Sequence, residues 1–379
     1  MPPVAQDSSG RALVVAAFMA CAAVLVYLGS FTVPFLFDDG PAILENESIR
    51  DLLKIGDVLW PDLEGGVTTS GRPVLNLSFA INHALGGYDP VGYHAMNLAI
   101  HYLAALALFG IVRRTMCRVA GDATCERAFW MAASVAILWM LHPMQTSAVT
   151  YLSQRAESLC GLFYLVTVYT FARSTASTRS AWWLGASIVA CALGMGTKEV
   201  MVSAPLIVLL YDRTFVSGTF AKAWACRKTY YTLLALTWLL LVALAFATPG
   251  RGTTAGFETV VTPWTYLLTQ CAAITHYLRL VFWPHPLVFD YGTATIGSLG
   301  SVWWQALLLI GLAGVLLWAL IKRPAMGFLG AWLFALLAPS SSLVPVASQS
   351  VAEHRMYLPV AAVLVTAVGV MERCLRSTQ

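Results

Sequence analysis

The chain has 379 residues, 58% of them hydrophobic and only 11% charged, with a net charge of +4. The apolar residues fall in blocks of about 20, the length a helix needs to cross the hydrocarbon core, which excludes an ordinary water-soluble domain. Long apolar runs without period-2 alternation select helices over a barrel, so the predicted fold is all-α and polytopic.

Ten spans are predicted, near 11–31, 93–112, 128–147, 156–172, 181–196, 200–211, 229–247, 302–321, 325–341 and 356–371. Fifteen of the 23 basic residues, among them Arg113, Arg127, Arg227, Lys322, Arg373 and Arg376, then fall on one face, with both termini. That face is cytoplasmic by the positive-inside rule. Fourteen of the 19 acids fall on the other, in loops 32–92, 142–156, 248–301 and 342–355 or at nearby helix ends. The inner loops are short and basic and carry no Walker or GxGxxG pattern, so chemistry belongs outside and no nucleic-acid partner is expected.

The first span closes on Phe37-Asp38-Asp39-Gly40. Carboxylates at the depth where a bilayer ends are costly to keep and point to function. Within the structured loop 32–92, Ser48-Ile49-Arg50-Asp51 resembles a capping box opening a short helix toward Leu59, and Pro73–Leu85 reads as a second helix. Pro263–Pro284 is long enough to span but is predicted as an interfacial helix, with Gln270, His276 and Arg279 facing head groups. Trp130, Trp182, Trp183, Trp264, Trp283, Trp303 and Trp304 sit near span ends and form an aromatic belt. The eight cysteines imply no disulfide framework, and Cys117 and Cys125 lack zinc-site spacing.

Five polar clusters meet the outer surface: Asp38-Asp39; Arg72-Pro73 with Asn76; His142-Pro143 through Arg155 and Glu157; Lys198-Glu199; and Glu353-His354-Arg355 with Tyr357. Such a set suits transfer of a sugar from a lipid phosphate to a hydroxyl. Asp38 or Asp39 would take the acceptor proton, and repulsion between neighbouring carboxylates helps one of them act as a base. Arg72, Arg155, Lys198 and Arg355 are the candidates to hold the leaving phosphate, oriented by Glu157, Glu199 and Glu353. His142, His285 and His354 are candidates to touch substrate. The bland alternatives are that Asp39 caps a helix and that Arg155-Glu157, Lys198-Glu199 and Glu353-Arg355 are charge pairs anchoring helix ends. His94 and His101, seven apart, share a helix face that permits a metal pair, although His in a membrane bundle more often hydrogen-bonds a neighbour.

Phe37-Asp38-Asp39 with Ile43, Asn46 and Arg50-Asp51-Leu52 resembles the first luminal loop of the transmembrane-and-tetratricopeptide protein O-mannosyltransferases and their bacterial relatives. So do Arg72-Pro73-Val74-Leu75-Asn76 onward through Gly86-Gly87-Tyr88-Asp89-Pro90 and Tyr93-His94-Ala95-Met96-Asn97-Leu98, His142-Pro143, Arg155-Ala156-Glu157, Lys198-Glu199, Asp290-Tyr291 and Glu353-His354-Arg355-Met356-Tyr357. The resemblance implies a single-domain enzyme, residues 1–379, of the GT-C superfamily. Such an enzyme takes a polyprenyl-phosphate sugar on the periplasmic or luminal side, with Asp38 matching the base. It brings His94, Asp290 and Tyr357 into the substrate-touching set, and suggests mannose or another hexose as the sugar and a protein Ser or Thr, a glycan or a lipid as acceptor. A divalent metal is left open. Unlike that family, the sequence shows no 34-residue helical repeat, which leaves two alternatives: a partner protein that supplies acceptor recognition, or a lipid or glycan acceptor that needs none. The expected location is a bacterial inner membrane, with the endoplasmic reticulum as alternative. A lipid-linked sugar transporter and a non-catalytic membrane subunit are the competing classes; the scarcity of charge at span centres speaks against the first.

Overall fold

The structure is a computed structural model that describes residues 4–60, 66–120, 125–247, 261–342, 345–346 and 349–377. Helix α1 (Val4–Tyr27) is followed by the first-loop helices α2 (Ile55–Leu59), α3 (Gly66–Thr69) and α4 (Pro73–Gly86). Next come α5 (Pro90–Ala120), α6 (Cys125–Met140), the short α7 (Thr146–Thr150), α8 (Arg155–Ser174), α9 (Ser180–Met195) and α10 (Ala204–Asp212). The remainder holds α11 (Phe220–Ala247), α12 (Pro263–Phe282), α13 (Trp303–Lys322), α14 (Pro324–Leu337) and α15 (Pro359–Ser377). No strand occurs among the described residues, so the protein is all-α.

By length and composition, five segments can cross a membrane: Gly10–Thr32, Pro90–Val119, Glu199–Ser217, Phe220–Ala247 and Trp303–Lys322. Helices α9 and α14 are apolar but shorter. This is a multi-pass membrane protein, and the count of ten spans read from the sequence goes beyond what these lengths carry. Helix α8 shows why hydropathy and position part company: Ser158, Thr167 and Thr170 are buried as it packs against α5, α9 and α10, so its polar residues meet protein rather than lipid. At the other extreme, Ala319 is the one buried residue of α13, which packs on α14 along one side and leaves most of its apolar length exposed.

Charge pairs define one basic face. Arg11 Nη1 meets Glu126 Oε1 at 2.8 Å, Arg127 Nε meets Glu372 Oε1 at 3.2 Å, and Arg118 Nη2 donates to Thr175 Oγ1 at 2.5 Å. The beginnings of α1 and α6 and the ends of α5, α8 and α15 therefore lie together, as the basic-residue pattern predicts.

The first loop carries its own small core, in which Ala42, Ile43, Ile49, Val58, Leu75, Phe79 and Tyr93 pack together. Two fully buried asparagines satisfy one another within it. Asn46 Nδ2 donates to Asn76 Oδ1 (2.9 Å) and to Ala42 O (3.0 Å), while Asn76 Nδ2 donates to Val58 O (2.7 Å) and to Ser48 Oγ (2.9 Å). The capping box expected at Ser48 does not form. Asn46 caps the short turn Glu47–Ile49 instead, accepting from Ser48 N at 3.1 Å, because its side chain sits one residue before that turn. Helix α4 matches the expected second helix within one residue. In α12, Gln270 is buried and donates to Ser350 O at 2.8 Å, so it does not face head groups as expected; Arg279, which donates to His285 O at 3.0 Å, lies at the surface.

Candidate functional site

The two neighbouring acids are used differently. Asp39 is 1% exposed; its Oδ2 accepts from Leu36 N at 3.0 Å and its Oδ1 from Ser153 N at 2.7 Å. Burial raises the Asp39 pKa, the two N–H groups pull it back, and Asp38 adds to the rise. Asp39 thus fastens the first loop to the turn that precedes α8.

Asp38 is held only by its backbone: its N–H donates to Tyr151 Oη at 2.9 Å and its carbonyl accepts from Ala42 N at 3.0 Å. The carboxylate is half-buried and takes no hydrogen bond or ion pair among the described residues. Phe37, just before it, has φ +42°, a conformation that costs a side-chain-bearing residue about 1–3 kcal/mol. What holds Phe37 there is visible: its exposed ring packs on Phe289 at 5.3 Å, and Phe289 packs on Tyr151 at 4.9 Å. Neither Tyr151 nor Phe289 is singled out by the sequence reading, since a lone aromatic near a helix end reads as belt.

On the same outer face a second group forms from four segments. Lys198 Nζ meets Glu157 Oε1 at 2.7 Å, Arg72 Nη2 meets Glu199 Oε2 at 3.1 Å, and His354 Nε2 lies 3.9 Å from the same Glu157 oxygen. The pairs anticipated between sequence neighbours do not form. Lys198 is in extended backbone, where consecutive side chains point to opposite sides, so Lys198 and Glu199 reach different partners. Gly196 lets α4 approach: a Cβ there would lie 2.8 Å from Val74 Cγ2, and Val74 N donates to Gly196 O at 3.0 Å. That contact brings Arg72 beside Lys198. Arg72 Nε is buried without an acceptor, and among the described residues Lys198 has no acceptor besides Glu157.

The two groups are joined through the start of α8. Ser153, in the turn just before α8, holds Asp39, and Glu157, in the first turn of α8, holds Lys198, four positions further along the chain. No Lys or Arg among the described residues comes within ion-pair distance of Asp38 itself, so the acid and the cations do not form one ion pair.

Several expected site residues are instead committed to the scaffold. Arg155 is fully buried: Nε donates to Asn97 Oδ1 (2.6 Å), Nη1 to Ser78 O (3.0 Å), Nη2 to Tyr93 O (3.1 Å), and its guanidinium lies 4.7 Å from the Phe79 ring centre. It ties α4, α5 and α8 and has little left for a phosphate. Arg355 donates to Ser350 O (3.2 Å), Tyr266 Oη (3.2 Å) and Gln349 O, which folds the last loop around it. Glu353 orients no cation; its Oε1 accepts from Tyr291 Oη (2.6 Å) and Val288 N (2.8 Å). Tyr357 is buried with its hydroxyl on His101 Nδ1 at 2.8 Å, and His101 Nε2 donates to Met140 O at 2.9 Å. With both ring nitrogens of His101 taken, the His94–His101 metal pair is not formed. His94 donates from Nε2 to Val33 O at 3.0 Å and keeps a buried, unpartnered Nδ1. His142 caps the turn at Pro143, accepting from Met144 N at 3.2 Å and donating to Val281 O at 2.9 Å. Asp290 is exposed and accepts from Gly292 N at 2.8 Å. Among the described residues no three His, Cys, Asp or Glu side chains converge as a metal site requires.

His354 is nearly fully buried, and burial, then the charges of Lys198, Arg355 and Arg72, hold its pKa well below the ordinary 6.5. The unfolded ring takes up a proton below about 6.5 while the folded ring does not. Its contribution to stability is therefore full above that pH and is lost as pH falls below it toward the depressed folded value. Thermal unfolding between about pH 7.5 and 5 should show this slope, and His354→Gln should flatten it; an unchanged slope would remove the assignment.

Fold and site together describe an all-α, multi-pass membrane protein with an acid and a caged cation pair on the face opposite its basic rim. The chain is similar to protein O-mannosyl-transferases: 28% identical over 304 residues to Tmtc2 of Drosophila melanogaster, covering 76% of this chain and 31% of that protein. It is 26% identical over 311 residues to Tmtc1 of Drosophila melanogaster (74% and 34%), and 26% identical over 206 residues to TMTC4 of Homo sapiens (50% and 28%). The chain spans about a third or less of the length of these curated relatives. No protein-family model and no solved structure matches it.

Proposed function

We propose that the chain is a glycosyltransferase that moves a hexose, mannose by analogy with the names of its relatives, from a polyprenyl-phosphate donor to a hydroxyl. The reaction takes place on the face opposite the basic rim, which is periplasmic in a bacterial inner membrane or luminal in the endoplasmic reticulum. A protein Ser or Thr is the acceptor those names suggest.

The observation that carries this reading is the Asp38 carboxylate: half-buried, without a hydrogen bond or ion pair among the described residues, and fixed through its backbone beside a strained Phe37. Asp38 accepts the proton of the acceptor hydroxyl, whose oxygen bonds to the anomeric carbon as the bond from that carbon to the phosphate oxygen breaks. The electron pair leaves with the phosphate. Arg72 Nε, an N–H with no acceptor, and the spare donors of Lys198 meet that charge, with Glu199 and Glu157 holding both cations in place. Attack opposite the leaving group inverts the centre, and no covalent enzyme intermediate is needed. Arg155, Arg355 and Glu353 serve this site by building its walls, and His354 lines it as a neutral ring.

The test is transfer from polyprenyl-phosphate mannose to hydroxyl-bearing peptides in proteoliposomes. Lys198→Gln removes a charge-assisted contact worth about 1.5–3 kcal/mol, so kcat/KM for the donor should fall roughly 10- to 100-fold. Absence of turnover with every polyprenyl-phosphate hexose, or an unchanged kcat/KM for the donor in that variant, would refute the proposal.

A further inference from the structure

On the basic face, helices α5, α6, α14 and α15 pack around an apolar hollow that Tyr211 and Phe215 also line. This cleft has a volume of about 550 Å³. Its wall follows from helical spacing: α15 contributes positions 361, 362, 365, 366, 369, 370, 372, 373 and 376, one face of the helix over four turns. Val112, Met131, Trp332 and Val365 line the interior, and Met326 and Val370, both about half exposed, form a rim that opens sideways. From Ala361 to Arg376 the lining rises about 22 Å, against about 15 Å for half of the hydrocarbon core, so the cleft is as deep as one leaflet.

The end of the cleft at the basic face has a different chemistry. Arg127, Arg373 and Arg376 gather there around a single carboxylate, Glu372. One oxygen, Glu372 Oε1, serves both Arg127 (3.2 Å) and Arg376 (2.6 Å), and Arg373 has no acidic partner within ion-pair distance among the described residues. Three guanidinium groups against one carboxylate leave positive charge where lipid phosphates lie, and the planar guanidinium fork matches phosphate oxygens.

We propose that this cleft binds one anionic phospholipid of the leaflet on the basic face, its phosphate between Arg127, Arg373 and Arg376 and one acyl chain along α15. The site lies across the molecule from Asp38 and does not depend on the glycosyltransferase reading. The acyl chain packs on Trp332, whose indole N–H donates to Leu358 O at 3.1 Å, so the lipid braces the α14–α15 pair that carries the His354 turn.

Gly369 offers a clean probe. It lines the cleft, a Cβ there meets nothing within 4 Å, and Leu is a better helix former than Gly, so Gly369→Leu fills the groove without burdening the fold. Detergent-purified full chain is examined by native mass spectrometry and by thermal unfolding during titration with phosphatidylglycerol or phosphatidylcholine of identical chains. The expected result is one retained phosphatidylglycerol and a melting temperature raised by that lipid alone. Arg373→Gln combined with Arg376→Gln should weaken retention roughly tenfold or more. Gly369→Leu should abolish the lipid-induced shift while melting normally without lipid. Equal retention of the two lipids, or undiminished phosphatidylglycerol binding in either variant, would overturn the proposal.

Discussion

Asp38→Asn should lower sugar transfer by about 10²- to 10⁴-fold, the size of a general-base contribution, and leave the melting temperature where it was. The second half of that expectation comes from the structure, because the Asp38 side chain supports nothing: only its N–H and its carbonyl are used. Asp39→Asn should do the reverse. An amide in that position turns an N–H group toward either Leu36 N or Ser153 N, which now face carboxylate oxygens, and leaves a buried donor opposed. A loss of about 1–3 kcal/mol in stability follows, with activity reduced only as the loop loosens. Initial rates in proteoliposomes, read beside thermal melts of the same preparations, separate the two. Full activity in Asp38→Asn would remove the base.

Arg155→Ala is expected to be the most destabilising single change in the outer half of the protein. It strips donors from Asn97 Oδ1, Ser78 O and Tyr93 O, all around a fully buried site, and removes a cation stacked on Phe79. Each abandoned buried acceptor costs about 1–3 kcal/mol, which places the total near 3–5 kcal/mol after partial relaxation. Arg155→Lys should recover only part of this, since a single ammonium cannot reach three directions that the guanidinium fork serves. Denaturation in mild detergent measures both, and melting of Arg155→Ala equal to wild type would show that the tie between α4, α5 and α8 is dispensable.

Much of the architecture was legible from composition alone. Apolar runs and basic loops identified a helical membrane protein with two unlike faces, and α4, α9 and α13 lie within a residue or so of their expected places, whereas α5 runs eight residues past its expected end and α11 starts nine residues early. The number of membrane crossings was less legible, because hydropathy cannot tell a helix facing lipid, such as α13, from one enclosed by protein, such as α8. The candidate site was partly legible as a cluster: Asp38, Arg72, Glu157, Lys198, Glu199 and His354 were all marked by their positions at helix ends, and the fold gathers the last five of them. Their partnerships were not. A charged residue beside another in sequence looks paired, yet Lys198 reaches Glu157 across 41 positions and Arg72 reaches Glu199 across 127.

By itself, the sequence determined the class of fold, the sidedness of charge and the types of residue at the outer surface, because each follows from the cost of placing polar groups in hydrocarbon. Only the tertiary structure decided which of those residues are available. Asp38 and Asp39 are alike in type and adjacent in sequence, but Ser153 and Leu36 present their N–H groups to one and not to the other. Arg155 and Arg72 are equally basic, but the carbonyls of Ser78 and Tyr93 surround Arg155, while the Arg72 Nε has none. Hydrogen-bond capacity belongs to a side chain, whereas its consumption belongs to whatever the fold places within about 3 Å of it.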